Sequence, residues 1–242
     1  MPRRKRFNLL VIGASGSVAR AFLRRLPGLR SHFGRLVLLD KNRRVLEDTH
    51  LEHDRLDYVF VRRRLDLPRD NRYFAKLLQQ YRIGIVLDVS THPTLPMLEA
   101  VEAAGVRYVN TSLNDEKLEV TELVARLQQF GGRTSAPRIL CAGMNPGIVN
   151  LWVRHGIARF GVPDEIVHFE FDTSMTMDQW RPLVTWSRHE FLMETTWNRT
   201  GVYDGQGVAL QRTNALKNLV PLRPWLGPIL GGDHYPPGML VL

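Results

Sequence analysis

Gly13, Gly16 and Ala19 recur at three-residue spacing directly after the apolar run Leu9-Leu10-Val11-Ile12. An acid, Asp40, closes the next apolar run, Leu36-Val37-Leu38-Leu39. In this pattern Gly13 permits a tight turn, Gly16 lets main chain approach an anion, and Ala19 is small where a helix packs on a strand. Ser15, Ser17 and Val18 complete the turn and bring backbone N–H groups to a helix start, the chemistry that receives a pyrophosphate. Asp40, 27 residues past Gly13, stands where a carboxylate accepts a ribose 2′-hydroxyl. The expected ligand is a dinucleotide. Asp40 favours NAD, because a carboxylate there repels the 2′-phosphate of NADP; Arg43 and Arg44 follow closely and could accommodate that phosphate instead. Asp66, just past the third strand, reads either as a partner for an adenine amino group or as a loop carboxylate in water. Ser90 and Thr91 occupy the loop after the apolar run 83–89, where ligands sit in open α/β sheets.

Other residue types offer further chemistry. Asn145, in Asn145-Pro146-Gly147, suits a helix cap or a group that orients substrate. Glu170 lies on the polar face of the alternating segment Val167–Asp172, beside His168 and Asp172. The three are metal-ligand types, but simple alternation produces such triplets, and no metal is expected. The single cysteine, Cys141, excludes an intramolecular disulfide and sits in an apolar run that reads as a buried, inert strand.

These groups need a scaffold. Apolar positions at Val18, Ala21, Phe22 and Leu26 mark a first helix, ended by Pro27-Gly28. Strands are expected at 36–39, 58–61, 83–89, 107–111 and 138–142, and helices at 74–81, 95–104 and 116–130. Alternating strands and helices predict an α/β, doubly wound parallel sheet over residues 1–147. The near-continuous apolar run 83–89 suits a strand covered on both faces. Past Asn145-Pro146-Gly147 the texture changes to a helix, an alternating strand and a Trp-, Thr- and Pro-rich stretch. Residues 148–242 are therefore expected to form a second, α+β domain, incomplete as written.

With 44% hydrophobic and 24% charged residues, the 242-residue chain has a globular composition. No apolar stretch approaches a membrane span, and the basic arm Arg3-Arg4-Lys5-Arg6 leads into a strand rather than a secretory signal, so a cytoplasmic protein is expected. Net charge is +9, carried mainly by arginine; only 5 of the 33 cations are lysine. The arginines are spread along the whole sequence, which argues against a nucleic-acid binder while still favouring anionic ligands.

The turn 13–19, Tyr108-Val109-Asn110-Thr111-Ser112, Ala142–Gly147, Phe171-Asp172-Thr173, and Thr185-Trp186-Ser187 with Glu194 together resemble the saccharopine dehydrogenase superfamily, and within it the bacterial homospermidine synthases. The resemblance implies a Rossmann-type dinucleotide domain, a substrate and dimerisation role for residues 148–242, a homodimer, and NAD used as a reusable redox partner. It implies that a diamine is oxidised to an imine, a second amine attacks with loss of the first nitrogen, and the same hydride reduces the new imine. It implies catalytic roles for Asn145, Glu170, Trp186 and Glu194; an aromatic face and a carboxylate both stabilise a cationic imine. Two acids that would grip ammonium groups are replaced by Thr91 and Asn114. That departure leaves open a saccharopine-type imine reductase of amino-acid-derived substrates. A catalytically incomplete module binding a dinucleotide or nucleic acid is a third possibility.

Overall fold

The computed structural model describes residues 6–47, 56–115, 118, 120–131, 135–164 and 166, together with the strands 199–203, 208–214, 219–221 and 239–241. Six strands form one parallel sheet: β1 Phe7–Ile12, β2 Phe33–Asp40, β3 Tyr58–Arg62, β4 Ile83–Asp88, β5 Arg107–Asn110 and β6 Arg138–Ile139. Their order is β3-β2-β1-β4-β5-β6. The helices are α1 Ser17–Leu23, α2 Asn71–Gln80, α3 Thr94–Ala103, α4 Val120–Gly131 and α5 Ile148–Phe160.

Side-chain alternation explains why β1 is apolar at every central position. Leu9 and Val11 enter one buried cluster with Ala19, Leu23 and Leu38. Leu10 and Ile12 enter another, with Phe74 and Leu77 of α2 and Met97 and Leu98 of α3. A strand covered on both faces has no polar side to show. The stripe Phe74, Leu77 and Leu78 of α2 follows the helical repeat and supplies its buried face. The doubly wound α/β sheet expected from the sequence is thus present.

Several boundaries differ. The first helix stops at Leu23, and Leu26–Leu29 forms a separate 3-10 turn around Pro27. The strand expected over 138–142 is only Arg138–Ile139. Beyond it Cys141 turns left-handed (φ +57°), its N–H donating to Asn110 Oδ1 at 2.9 Å while the Ala142 N–H donates to the Asn110 carbonyl at 2.8 Å. Cys141 is half-buried, and burial raises its thiol pKa.

The chain divides into two compact units, 1–170 and 171–242, whereas the sequence places a boundary after Gly147. Helix α5 falls in the first unit, yet none of its side chains is buried; Leu151, Trp152 and Phe160 are all exposed. In the second unit β7 Arg199–Tyr203 pairs antiparallel with β8 Val208–Asn214, and β9 Leu219–Pro221 with β10 Met239–Val241. Among the described residues no helix is long and apolar enough to cross a membrane.

Candidate functional site

Strands β1 and β4 are sheet neighbours although β2 and β3 intervene in sequence. Their carboxyl ends therefore flank the point where strand order reverses, the place where open α/β sheets take ligands. The glycine turn crosses this point. Gly13 and Ala14 N–H groups donate to the Leu39 carbonyl at 3.0 and 3.3 Å, and the Gly16 N–H donates to the Gly13 carbonyl at 3.0 Å. Gly13 adopts φ +77°, and a Cβ built there would lie 3.0 Å from both Ser90 Cβ and the Val89 carbonyl. Only glycine satisfies both the conformation and the approach of the two loops. Ala19 is fully buried, as expected of the residue on which helix and sheet close.

Helix α1 begins at Ser17 with Gly16 as its cap residue and no side chain capping it. Gly16, Ser17 and Val18 are exposed. A helix start whose first amides lack a capping side chain has the donors that a pyrophosphate satisfies, so these residues fit a dinucleotide. Asp40 stands over the same turn. Its Oδ2 accepts from the Ser15 N–H at 2.9 Å and its Oδ1 from the Asn42 N–H at 2.8 Å. The Ser15 hydroxyl donates to the Asn42 carbonyl at 2.6 Å and accepts from the Val45 N–H at 3.2 Å. Turn and acid are thereby one rigid unit, with two further lone-pair positions left on the carboxylate.

Residues 9–133 match the family model of the saccharopine dehydrogenase NADP-binding domain. The chain belongs to that family. The cofactor of this saccharopine dehydrogenase-type domain is accordingly a nicotinamide dinucleotide. The curated proteins include no match. Among solved structures, the chain is similar to a UDP-glucose-4-epimerase from Stenotrophomonas maltophila with bound NAD and formylated UDP-arabinopyranose (22% identity, 63% of this chain and 48% of that one, TM-score 0.36). It is also similar to an NAD+-bound xylitol dehydrogenase (15%, 44% and 52%, TM-score 0.34). A third is a short-chain dehydrogenase/reductase from Veillonella parvula DSM 2008 (9%, 56% and 68%, TM-score 0.38). The chain spans about half the length of the first two.

The other expected site residues of this family member scatter more. Ser90 lies against the glycine turn, and exposed Thr91 follows it. The Asn114 amide donates to the Ser90 carbonyl at 3.2 Å and to Ser112 Oγ at 3.1 Å. Asp66 follows β3, but its carboxylate meets the Arg69 guanidinium at 3.3 Å and both are exposed. Asn145 is exposed and is not the helix cap: Gly147 occupies that position, its N–H donating to Asn150 Oδ1 at 3.0 Å. The cap fell two residues later because Gly147 takes a conformation (φ +145°) closed to residues with a Cβ. Glu170, Trp186 and Glu194, with His168 and Asp172, lie outside the described residues.

Sequence reasoning missed Asp88, the acid that closes β4 as Asp40 closes β2. It is only 3% exposed. Its Oδ1 accepts from the Ser90 N–H at 3.0 Å and the Ser90 hydroxyl at 2.5 Å, and its Oδ2 accepts from the Tyr108 hydroxyl at 3.0 Å. The Ser90 oxygen in turn accepts from the His92 N–H at 3.2 Å. Burial raises the Asp88 pKa, while the hydrogen bonds from Ser90 oppose that rise. Burial and the adjacent carboxylate push the Tyr108 hydroxyl well above its ordinary range. Asp88 is thus a clamp that fixes the loop facing Gly13.

Proposed function

We propose that the protein is an NAD-dependent oxidoreductase acting on carbon–nitrogen bonds, of the homospermidine synthase type. The observation that carries this reading is the glycine turn locked to Asp40 at the reversal point of a sheet that belongs to the saccharopine dehydrogenase family. The nicotinamide supplies a hydride acceptor and donor. Ser17 and Val18 receive the pyrophosphate, Asp40 accepts the ribose hydroxyl, and Ser90 with Thr91 borders the nicotinamide end. Trp186 and Glu194 stabilise the cationic imine, with Asn145 and Glu170 orienting the amine; these roles rest on the resemblance. The homodimer and the cytoplasmic setting belong to the same proposal.

Native mass spectrometry of the purified protein tests the cofactor and the subunit count together: bound NAD in a dimer is expected, and bound NADP overturns the preference for NAD. Incubation with NAD and a diamine deuterated on its amine-bearing carbons is expected to move label into the nicotinamide. Trp186→Ala should abolish that exchange, and unchanged exchange removes Trp186 from the site.

One observation favours a one-way imine reductase as the second reading. Around the ends of β4 and β5, Thr91 is neutral, the Asn114 amide is bonded to Ser90 and Ser112, and the Asp88 carboxylate is buried. An amino-acid-derived substrate with its own carboxylate asks less of such a site than a dicationic amine does. Net, stoichiometric consumption of NAD(P)H would identify it.

A further inference from the structure

Arginine introduces the apolar run of five of the six parallel strands: Arg6-Phe7, Arg35-Leu36, Arg82-Ile83, Arg107-Tyr108 and Arg138-Ile139. Far apart in sequence, these arginines fall on consecutive strands, β2, β1, β4, β5 and β6 in sheet order taken as Arg35, Arg6, Arg82, Arg107 and Arg138. Parallel neighbours lie about 4.8 Å apart, and the register steps the arginines diagonally along the rim at the amino-terminal end of the sheet, Arg107 level with Ile85 and Arg138 level with Tyr108. That rim is at the opposite end of the strands from the cofactor crevice. The row is closed at both ends. Arg35 meets Asp57 at 3.1 Å, an exposed pair, and Arg138 is paired with Glu102. Between them Arg6, Arg82 and Arg107 have no carboxylate partner among the described residues. They line a depression of about 740 Å³ that carries no acidic side chain among its lining residues.

Two details fix the row in place. The Asn8 amide accepts from the Arg35 N–H at 3.0 Å and donates to the Tyr81 carbonyl at 2.7 Å, tying β2 to the residue that precedes Arg82. Gly84 leaves room for the Phe7 ring, which a Cβ would approach to 2.7 Å. The Arg107 guanidinium stacks on that ring at 4.3 Å from its centroid. Gathering like charges works against the compact state, so a row held this firmly points to a ligand rather than to packing.

We propose that this rim binds the phosphodiester backbone of a single-stranded nucleic acid. Guanidinium forks match phosphate oxygens, and a linear series of them matches a linear polyanion. A depression takes in a flexible single strand, and contacts to phosphate alone read no sequence. Arg3, Arg4 and Lys5 precede Arg6 and add cations next to the same strand start in sequence. The arginine scatter that argued against nucleic acid in one dimension is undone by the strand order.

Fluorescence anisotropy of a fluorescein-labelled oligouridylate titrated with the full chain tests this. Contacts from Arg6, Arg82 and Arg107 predict a slope of log K against log salt of about −2.1, or about 20-fold weaker binding between roughly 50 and 200 mM salt. The triple variant Arg6→Gln, Arg82→Gln, Arg107→Gln should bind at least about tenfold more weakly at low salt, with almost no salt slope left. Its NAD affinity should stay that of the wild type. The single variant Arg82→Gln should lower the slope by about 0.7 on its own, and decides the matter if the triple variant misfolds. Arg64→Gln, an exposed arginine past the other end of β3, should leave RNA binding intact. The proposal is overturned by absence of saturable RNA binding, by an unchanged slope in Arg82→Gln, by equal loss in Arg64→Gln, or by binding to phosphatidylserine vesicles without binding to RNA.

Discussion

At the scale of single residues, two positions fix the site by opposite means, one by lacking atoms and one by lacking water. Gly13→Ala places a methyl group 3.0 Å from Ser90 Cβ on a backbone at φ +77°. The strain is of order 1–3 kcal/mol, and either the turn or the β4 loop must move. NAD binding is expected to weaken roughly tenfold or more, each factor of ten being about 1.4 kcal/mol, as read by titration calorimetry. Asp88 makes a different prediction. Because burial raises its pKa above the ordinary 3.8, the folded protein holds that proton more tightly than the unfolded chain does. The stabilisation is fully present below the ordinary pKa and is lost as pH rises through the folded value. Asp88→Asn keeps an acceptor for Ser90 and a donor for the Tyr108 oxygen but cannot ionise. Melting temperature measured against pH should therefore fall less steeply for the variant than for the wild type on leaving acid. Parallel curves would mean that Asp88 titrates normally.

At the scale of elements, the strands were legible because each is an apolar run closed by a polar signal, and the two-sided burial of Leu9–Ile12 leaves no competing period. Asp40 was legible for the same reason. Asp88 likewise ends β4, but it is harder to read because apolar Val89 follows it, so Asp88 falls inside the run 83–89 instead of closing it. β6 was overestimated because apolarity alone does not show that the Asn110 amide captures Cys141 and turns the chain. The rim row was invisible for a more general reason: sequence distance says nothing about which strands lie side by side. Asn8 tests how strongly that order is enforced. Asn8→Ala leaves the Tyr81 carbonyl and the Arg35 N–H without their partner, at a cost of about 1–3 kcal/mol for the better buried of the two. Urea unfolding should show a lower midpoint with an unchanged slope; a midpoint equal to the wild type would make the clamp dispensable.

At the scale of the whole molecule, the first unit holds the residues proposed for the cofactor and should respond to the dinucleotide as a body. NAD at a hundred times its Kd is expected to stabilise that unit by about 2.7 kcal/mol. In scanning calorimetry the transition that moves upward with NAD should be the one lost first in Gly13→Ala. A scan unmoved by saturating NAD would contradict the assigned crevice. The polarity of the parallel sheet has one more consequence. Glycine turn and arginine row sit at opposite tips of a six-residue strand, a gap of about 20 Å, against a screening length of about 8 Å in physiological electrolyte. Neither occupant can feel the other's charge through solvent, so simultaneous binding without competition is expected. Raising ionic strength should strip the polyanion from one tip and leave the coenzyme seated at the other.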